Sequence, residues 1–476
     1  MSSIDLELCY LSASEVLKRF KACSLSPVEY LAELIKRAEE TEPAINAFAF
    51  TWFDQAMDQA KEAEAKYARK DTNIRELEGL PIAVKDAADI EGQPLTKGSL
   101  YLKDNISTET HYSIQRLLDA GGIVHARTTT PEFGCTAVCD SKIYGTTHTP
   151  WKLGYTSGGS SGGSGAALAV GSSPVATGSD IGGSIRIPAA CCGVVGYKPP
   201  YGRNPGGTAG SFDMYHALGP MTRTVSDAAM MQNILCGPHP LDNASIRPKY
   251  VLPDTYEDIQ GLRIAWSMDL GFFEVDEHVQ ANTLKTLDVL KDLGAELVEV
   301  DFGWSAEADR ALQNYLDHLF NGNIKAIVDT DPDLATPWAT YCANAAGKTS
   351  AMDFSAAYET QAKMSRHVGA IMDDYYAFIC PTNSFHEIPA DQHPNEPLVI
   401  NGKTVDPLHG WCMAHPFNML GRLPVLSVPS GVGGNGLPTG IQIVARHLDD
   451  ERVFRVAMAL EKAQPWLDCP ERRPSI

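Results

Sequence analysis

Nine consecutive residues, 157–165 (SGGSSGGSG), are all glycine or serine. A run of this kind is either a flexible linker or a backbone path so crowded that no larger residue fits along it. The neighbouring sequence favours the second reading. Residues 166–170 (AALAV) continue the run as a small-residue helix, and a second cluster, Asp180-Ile-Gly-Gly-Ser-Ile-Arg186, follows shortly after. Two matched glycine-serine clusters inside an otherwise apolar, ordered stretch read as two fixed loops of one folded unit.

The surrounding pattern is that of an α/β protein. Short apolar runs at 80–84, 123–126, 174–177, 262–266, 296–300, 377–380 and 441–444 read as strands. They alternate with segments of helical periodicity at 110–120, 225–236, 277–293, 355–372 and 450–462, which predicts a central sheet covered by helices. The first 70 residues read as helical. Ser26-Pro27-Val28-Glu29 supplies a serine N-cap, a proline at the first helical position and a capping-box glutamate. Leu31, Leu34, Ile35 and Ala38 then form one apolar stripe, and a further helix is expected from Thr51 to about Arg69. No period of 20–50 residues repeats and no linker divides the chain. The expectation is a helical N-terminal segment (1–70) packed on a single domain (71–476), one domain overall.

Composition excludes several classes. The 476 residues carry 39 Lys plus Arg against 59 Asp plus Glu, a net charge of −20, which disfavours a nucleic-acid partner. No stretch reaches the 18 or so apolar residues of a membrane helix, and Met1-Ser-Ser-Ile-Asp-Leu-Glu lacks the basic and apolar regions of a secretory signal. The 11 cysteines follow no zinc or CxxC spacing and read as reduced thiols of a cytoplasmic protein.

Three familiar signatures can be weighed for chemistry. Residues 159–163 satisfy G-x-S-x-G, a pattern easily met inside a Gly/Ser run, and the sequence does not single out a base among His386, His393, His409, His415 and His447. Neither cluster ends in the Gly-Lys-Ser/Thr of a P-loop, and HExxH is absent. A serine nucleophile activated by lysine fits better. In Ile181-Gly182-Gly183-Ser184 two glycines precede a serine, which suits successive backbone amides aimed at an oxyanion. Lys85 ends the strand-like Leu80-Pro-Ile-Ala-Val84, where burial can strip its ammonium of water. Lowering a lysine pKa from about 10.4 to about 7 takes roughly 4–5 kcal/mol, so such a lysine must lie deep.

Together Gly79-Leu-Pro-Ile-Ala-Val-Lys85-Asp86, Gly158-Gly-Ser-Ser-Gly-Gly-Ser164 and Gly178-Ser-Asp-Ile-Gly-Gly-Ser-Ile-Arg-Ile-Pro188 resemble the amidase signature family. The likeness is strong over 79–225 and continues more weakly through Pro416-Phe-Asn418 and residues 436–444. It implies the amidase signature fold, a central mixed twisted sheet with helices on both faces. It also implies hydrolysis of a carboxamide without metal or organic cofactor. Lys85 matches the family's catalytic lysine, Ser160 the bridging serine behind a cis peptide, and Ser184 the nucleophile, 24 positions further on. The amides of Ile181, Gly182, Gly183 and Ser184 would hold the oxyanion. Gly134 and Cys135 match a segment bordering the acyl pocket, whereas Ser161, Ser164, Asp180 and Arg186 read as structural support. Trp411, His415 and Phe417 are candidates for pocket wall or core.

The sequence departs from the family pattern at Ser157, at Thr149-Pro150-Trp151 and at Tyr197, none of them a catalytic position. The expected partner is a small-molecule amide, with no nucleic acid and no membrane, and the helical N-terminus offers a surface for a homodimer. Esterase side activity is compatible with the same chemistry. The alternative within the superfamily is the glutaminase-type subunit of a tRNA-dependent amidotransferase. A non-catalytic binding protein is the third reading, and it finds no triad member missing. Residues 265–420, which should set substrate choice, carry no recognisable motif.

Overall fold

The computed structural model describes residues 4–207 and 212–476. Eleven strands form one sheet. From one edge to the other they are Phe48–Thr51, Ile123–Thr128, Pro81–Lys85, Val175–Asp180, Ala217–Thr222, Val195–Lys198, Val425–Val432, Pro438–Val444, Ala377–Pro381, Arg263–Trp266 and Glu296–Glu299. Pro81–Lys85 runs parallel to both of its neighbours, whereas the strands from Ala217–Thr222 to Pro438–Val444 pair antiparallel. The sheet is therefore mixed, and helices flank it, as the alternating sequence pattern predicts.

Most predicted elements form within a few residues of their expected bounds. Ser26 caps Pro27–Ile45 with a complete capping box, and Phe53–Ala68 follows as the second long N-terminal helix. Phe20, Tyr30 and Tyr67 of this segment share a core cluster with Leu80 and with Ile82 and Val84 of the Pro81–Lys85 strand. Within the segment expected to be helical, one element differs. Residues 48–51, inside the segment read as helical, form an edge strand against Ile123–Thr128, with the Trp52 amide donating to the His125 carbonyl.

The Gly/Ser run itself becomes helical earlier than its composition suggests. The helix spans Gly162–Ala169 and is buried along its whole length. Glycine is a poor helix former, but a Cβ at Gly163 would lie 2.4 Å from the Ala47 carbonyl oxygen and from Thr129 Oγ1. Close packing thus requires glycine where local propensity disfavours it, and the helix is held by its surroundings. Ser164 donates to the Thr177 carbonyl and shares a hydrogen bond with Thr128.

The C-terminal ends of the parallel strands Pro81–Lys85 and Val175–Asp180 open at the same place. In α/β sheets the residues just beyond such ends commonly form the binding crevice. The helices Ala306–Val328 and Pro337–Ala345 face the cleft in this region, and Ala306–Val328 also packs against Ala351–Asp374.

Candidate active site

Lys85 is the last residue of its strand and is 2% exposed. Its Nζ donates to Ser160 Oγ at 2.7 Å and to Ser179 Oγ at 2.9 Å. Among the described residues no carboxylate pairs with it directly. Burial therefore dominates and lowers its pKa to about 7, so the neutral amine is well populated near neutral pH. The Gly159–Ser160 peptide is cis.

Ser184 lies toward the end of the second loop, is 8% exposed and lines a cleft. The two loops are tied by the Ser161 amide, which donates to the Ser184 carbonyl at 3.1 Å. Ser160 and Ser184 share no side-chain hydrogen bond. Ser161 Oγ faces Ser179 instead, donating to its carbonyl and accepting from its amide at 3.4 Å.

The loop before Ser184 is fixed by Asp180. Its carboxylate accepts from the Gly183 amide at 2.7 Å and from the Ile185 amide at 3.3 Å. Arg186 Nε and Nη2 donate to the same carboxylate at 3.0 and 3.1 Å. Arg186 also reaches Asn418, Gln442 and the Ala414 carbonyl, and Asn418 returns a 2.7 Å bond to Asp180. Burial alone would raise the Asp180 pKa. The adjacent Arg186 guanidinium outweighs it and holds the carboxyl below the usual range. Gly183 has φ +102°, and a Cβ there would press to 2.7 Å against Ala414, so this turn requires glycine.

This network changes one sequence expectation. The Gly183 amide already donates to Asp180, so it is not available to an oxyanion. The amides of Ile181, Gly182 and Ser184 have no acceptor among the described residues. Of the four amides from Ile181 to Ser184, that of Gly183 is thus committed to holding the loop. Asn418 and Gln442 are partners the sequence reading did not single out. Their signal was present in the weaker motifs at 416–418 and 436–444, but their link to Arg186 exists only in three dimensions.

Gly134, Cys135, Gly159, Ile181 and Gly182 line the cleft around Ser184. Gly134 lies close to Ser160, because a Cβ there would be 3.1 Å from Ser160 Oγ. The facing side comes from Leu316, Asp317 and Phe320 of the Ala306–Val328 helix, from Tyr341 and Cys342, and from His409 and His415. Trp411 and Phe417 are buried in the core, so of the three late candidates only His415 reaches the cleft. Among the described residues, no lysine or arginine lines the cleft.

Known proteins resemble this chain along most of its length. The Amidase family profile matches residues 29–454. An acylamidase of Rhodococcus erythropolis is 35% identical over 98% of both chains. A glutamyl-tRNA(Gln) amidotransferase subunit of Caldanaerobacter subterraneus is 30% identical over 96% of this chain and 97% of its own. Among solved structures, a bacterial aryl acylamidase of the amidase signature family superposes with a TM-score of 0.88 at 28% identity, covering 96% of this chain and 97% of that one. By sequence and by fold, the chain belongs to the amidase signature family.

Proposed function

We propose that this amidase cleaves its substrate through an acyl-enzyme on Ser184, with Ser160 and Lys85 as the proton relay. The observation that carries this reading is the 2.7 Å contact between Ser160 and a lysine whose pKa is lowered to about 7 by burial, in the loop tied to Ser184. A neutral amine can donate to Ser179 while its lone pair accepts the Ser160 proton. Ser160 then accepts the proton of Ser184 as Ser184 Oγ attacks the amide carbonyl. The amides of Ile181, Gly182 and Ser184 stabilise the oxyanion. The relay hands the proton to the nitrogen as the C–N bond breaks, and water frees the acyl group by the same route in reverse.

The preferred substrate in this reading is an uncharged acyl or aryl amide, since Leu316, Phe320 and Tyr341 border the cleft and no cationic side chain lines it. The amidotransferase relatives keep a second reading open, a glutamine-hydrolysing subunit. The lining gives a glutamine α-carboxylate no cationic partner, which favours the free-standing enzyme. The eleven unpaired thiols and the net charge of −20 support a cytoplasmic protein that does not act on nucleic acid. None of the described helices is long and apolar enough to cross a membrane. Homodimerisation through the N-terminal helices belongs to the same reading and is checked by sedimentation velocity.

The test is a serine-directed fluorophosphonate followed by peptide mass spectrometry, with aryl and alkyl amides assayed on the chain alone. An adduct on Ser184 and turnover without a partner are expected. An adduct on Ser161 instead would overturn the assignment of the nucleophile. A chain silent on every amide until an amidotransferase partner is added would overturn the free-standing reading.

A further inference from the structure

Asp309, His409 and His415 come together at the cleft although Asp309 lies a hundred residues earlier in the chain. His409 Nδ1 and His415 Nδ1 are 3.1 Å apart. Asp309 Oδ1 is 3.7 Å from each of them. A triangle with those sides has one point about 2.0 Å from all three atoms, the distance at which zinc binds imidazole nitrogen and carboxylate oxygen.

Hydrogen bonding alone leaves this cluster incomplete. When both imidazoles are neutral, one Nδ1–H can donate to the other Nδ1, and nothing remains for the carboxylate. Asp309 Oδ1 is in fact buried with no hydrogen-bond partner. A buried carboxylate oxygen without a donor is costly, and a cation between the three atoms removes that cost.

We propose that Asp309, His409 and His415 bind one divalent transition-metal ion of the zinc class in the wall of the cleft that holds Ser184. Two imidazoles and one carboxylate select such ions over magnesium or calcium, which prefer all-oxygen sites. Three protein ligands leave a fourth position, and both histidines line the cleft, so that position belongs to water or to a donor atom in the cleft. The site is distinct from the relay of Lys85, Ser160 and Ser184, and its existence does not depend on their roles. Neither imidazole Nε2 has a hydrogen-bond partner among the described residues. Without that outer shell, an affinity about 10–100-fold below that of a fully supported site is expected.

The experiment is titration of the EDTA-treated full chain with Co2+, read by visible absorption, and with Zn2+, read by calorimetry. One equivalent should bind, giving the intense d–d bands of a four-coordinate nitrogen and oxygen site without a thiolate charge-transfer band. Mg2+ should not compete. Asp309→Asn and His409→Gln, checked for folding by circular dichroism, should each weaken binding by about tenfold or more. Absence of the cobalt bands in the wild-type chain would overturn the proposal, as would a thiolate band or equal affinity in a folded variant. The wild-type titration decides even if one variant does not fold.

Discussion

Between residues 131 and 188 the cleft is bordered by Gly134, Gly159, Ile181, Gly182 and Ser184, on loops held by buried hydrogen bonds and by the Asp180–Arg186 pair. Between 306 and 342 it is bordered by Leu316, Asp317, Phe320 and Tyr341, carried on helices whose outer faces meet solvent. On the first side little can change, because the backbone itself borders Ser160 and a Cβ at Gly183 would collide with Ala414. On the second side only side chains face the cleft. They can be exchanged while the helix keeps its contacts, as at Leu319, which is exposed on the same helix. Chemistry is expected to depend on the first wall and choice of substrate on the second.

The largest effect that tests this division is loss of the relay. Ser184→Ala and Lys85→Met should each reduce kcat by about 10^4-fold or more, read with an aryl amide under saturating conditions. Methionine is chosen to fill the space of the lysine stem. Turnover within tenfold of wild type in a folded variant would remove that residue from the mechanism.

Next in size is the support beneath the loop. Asp180→Asn leaves Arg186 buried without its counter-charge, and removing one partner of a buried pair costs about 3–5 kcal/mol. The loss should appear in denaturant unfolding as a lower midpoint at unchanged slope. A variant as stable as wild type would mean that Asn418 and Gln442 alone suffice to hold Arg186.

The division also explains what was legible in sequence. Lys85, Ser160, Ser184, Asp180 and Arg186 sit in three short motifs because each needs a fixed backbone neighbour, and such needs leave a local signature. The strands flanking them were harder to see. Ala217–Thr222 contains Gly219-Pro220, and Val425–Val432 contains Pro429 beside a register shift. Proline argues against a central strand, so period and propensity point the wrong way until the sheet is assembled. Phe48–Thr51 is too short to show a period of its own and exists through its pairing with Ile123–Thr128. The facing wall was opaque for another reason. Ala306–Val328 is an ordinary amphipathic helix, and nothing in its sequence says that Leu316 and Phe320 meet a cleft while Leu312 meets the core. Asp309 and the two histidines converge only through the tertiary fold.

A smaller effect concerns pH and separates two lysines. Lys85 and Lys198 are both fully buried, and burial lowers each to about 7. Lys198 Nζ donates to the Leu423 carbonyl at 2.9 Å and contacts no serine. If only Lys85 serves the relay, kcat/KM should rise about tenfold per pH unit up to about 7 and then level off. Lys198→Met should leave that limb in place. Stability behaves differently. From about 7 up to the free lysine value the unfolded chain binds more protons than the native one, so unfolding free energy should rise with pH over that window. Either substitution should flatten that slope, whereas only Lys85→Met should touch the rate. A rate limb that moves with Lys198→Met would break the distinction.

The smallest effect belongs to the helical wall. Phe320→Ala and Tyr341→Ala each remove an aromatic face from the cleft while leaving Lys85, Ser160 and Ser184 in place. Loss of such contact area from a pocket is worth about 1–3 kcal/mol of discrimination between a large and a small acyl group. The expected result is a roughly tenfold or greater fall in kcat/KM for aryl amides, borne mainly by KM, with acetamide-sized substrates much less affected. A uniform fall in kcat across all amides would show instead that these side chains help to fix the loops around Ser184. The two walls would then not be separable, and specificity could not be changed from the helical side without loss of rate.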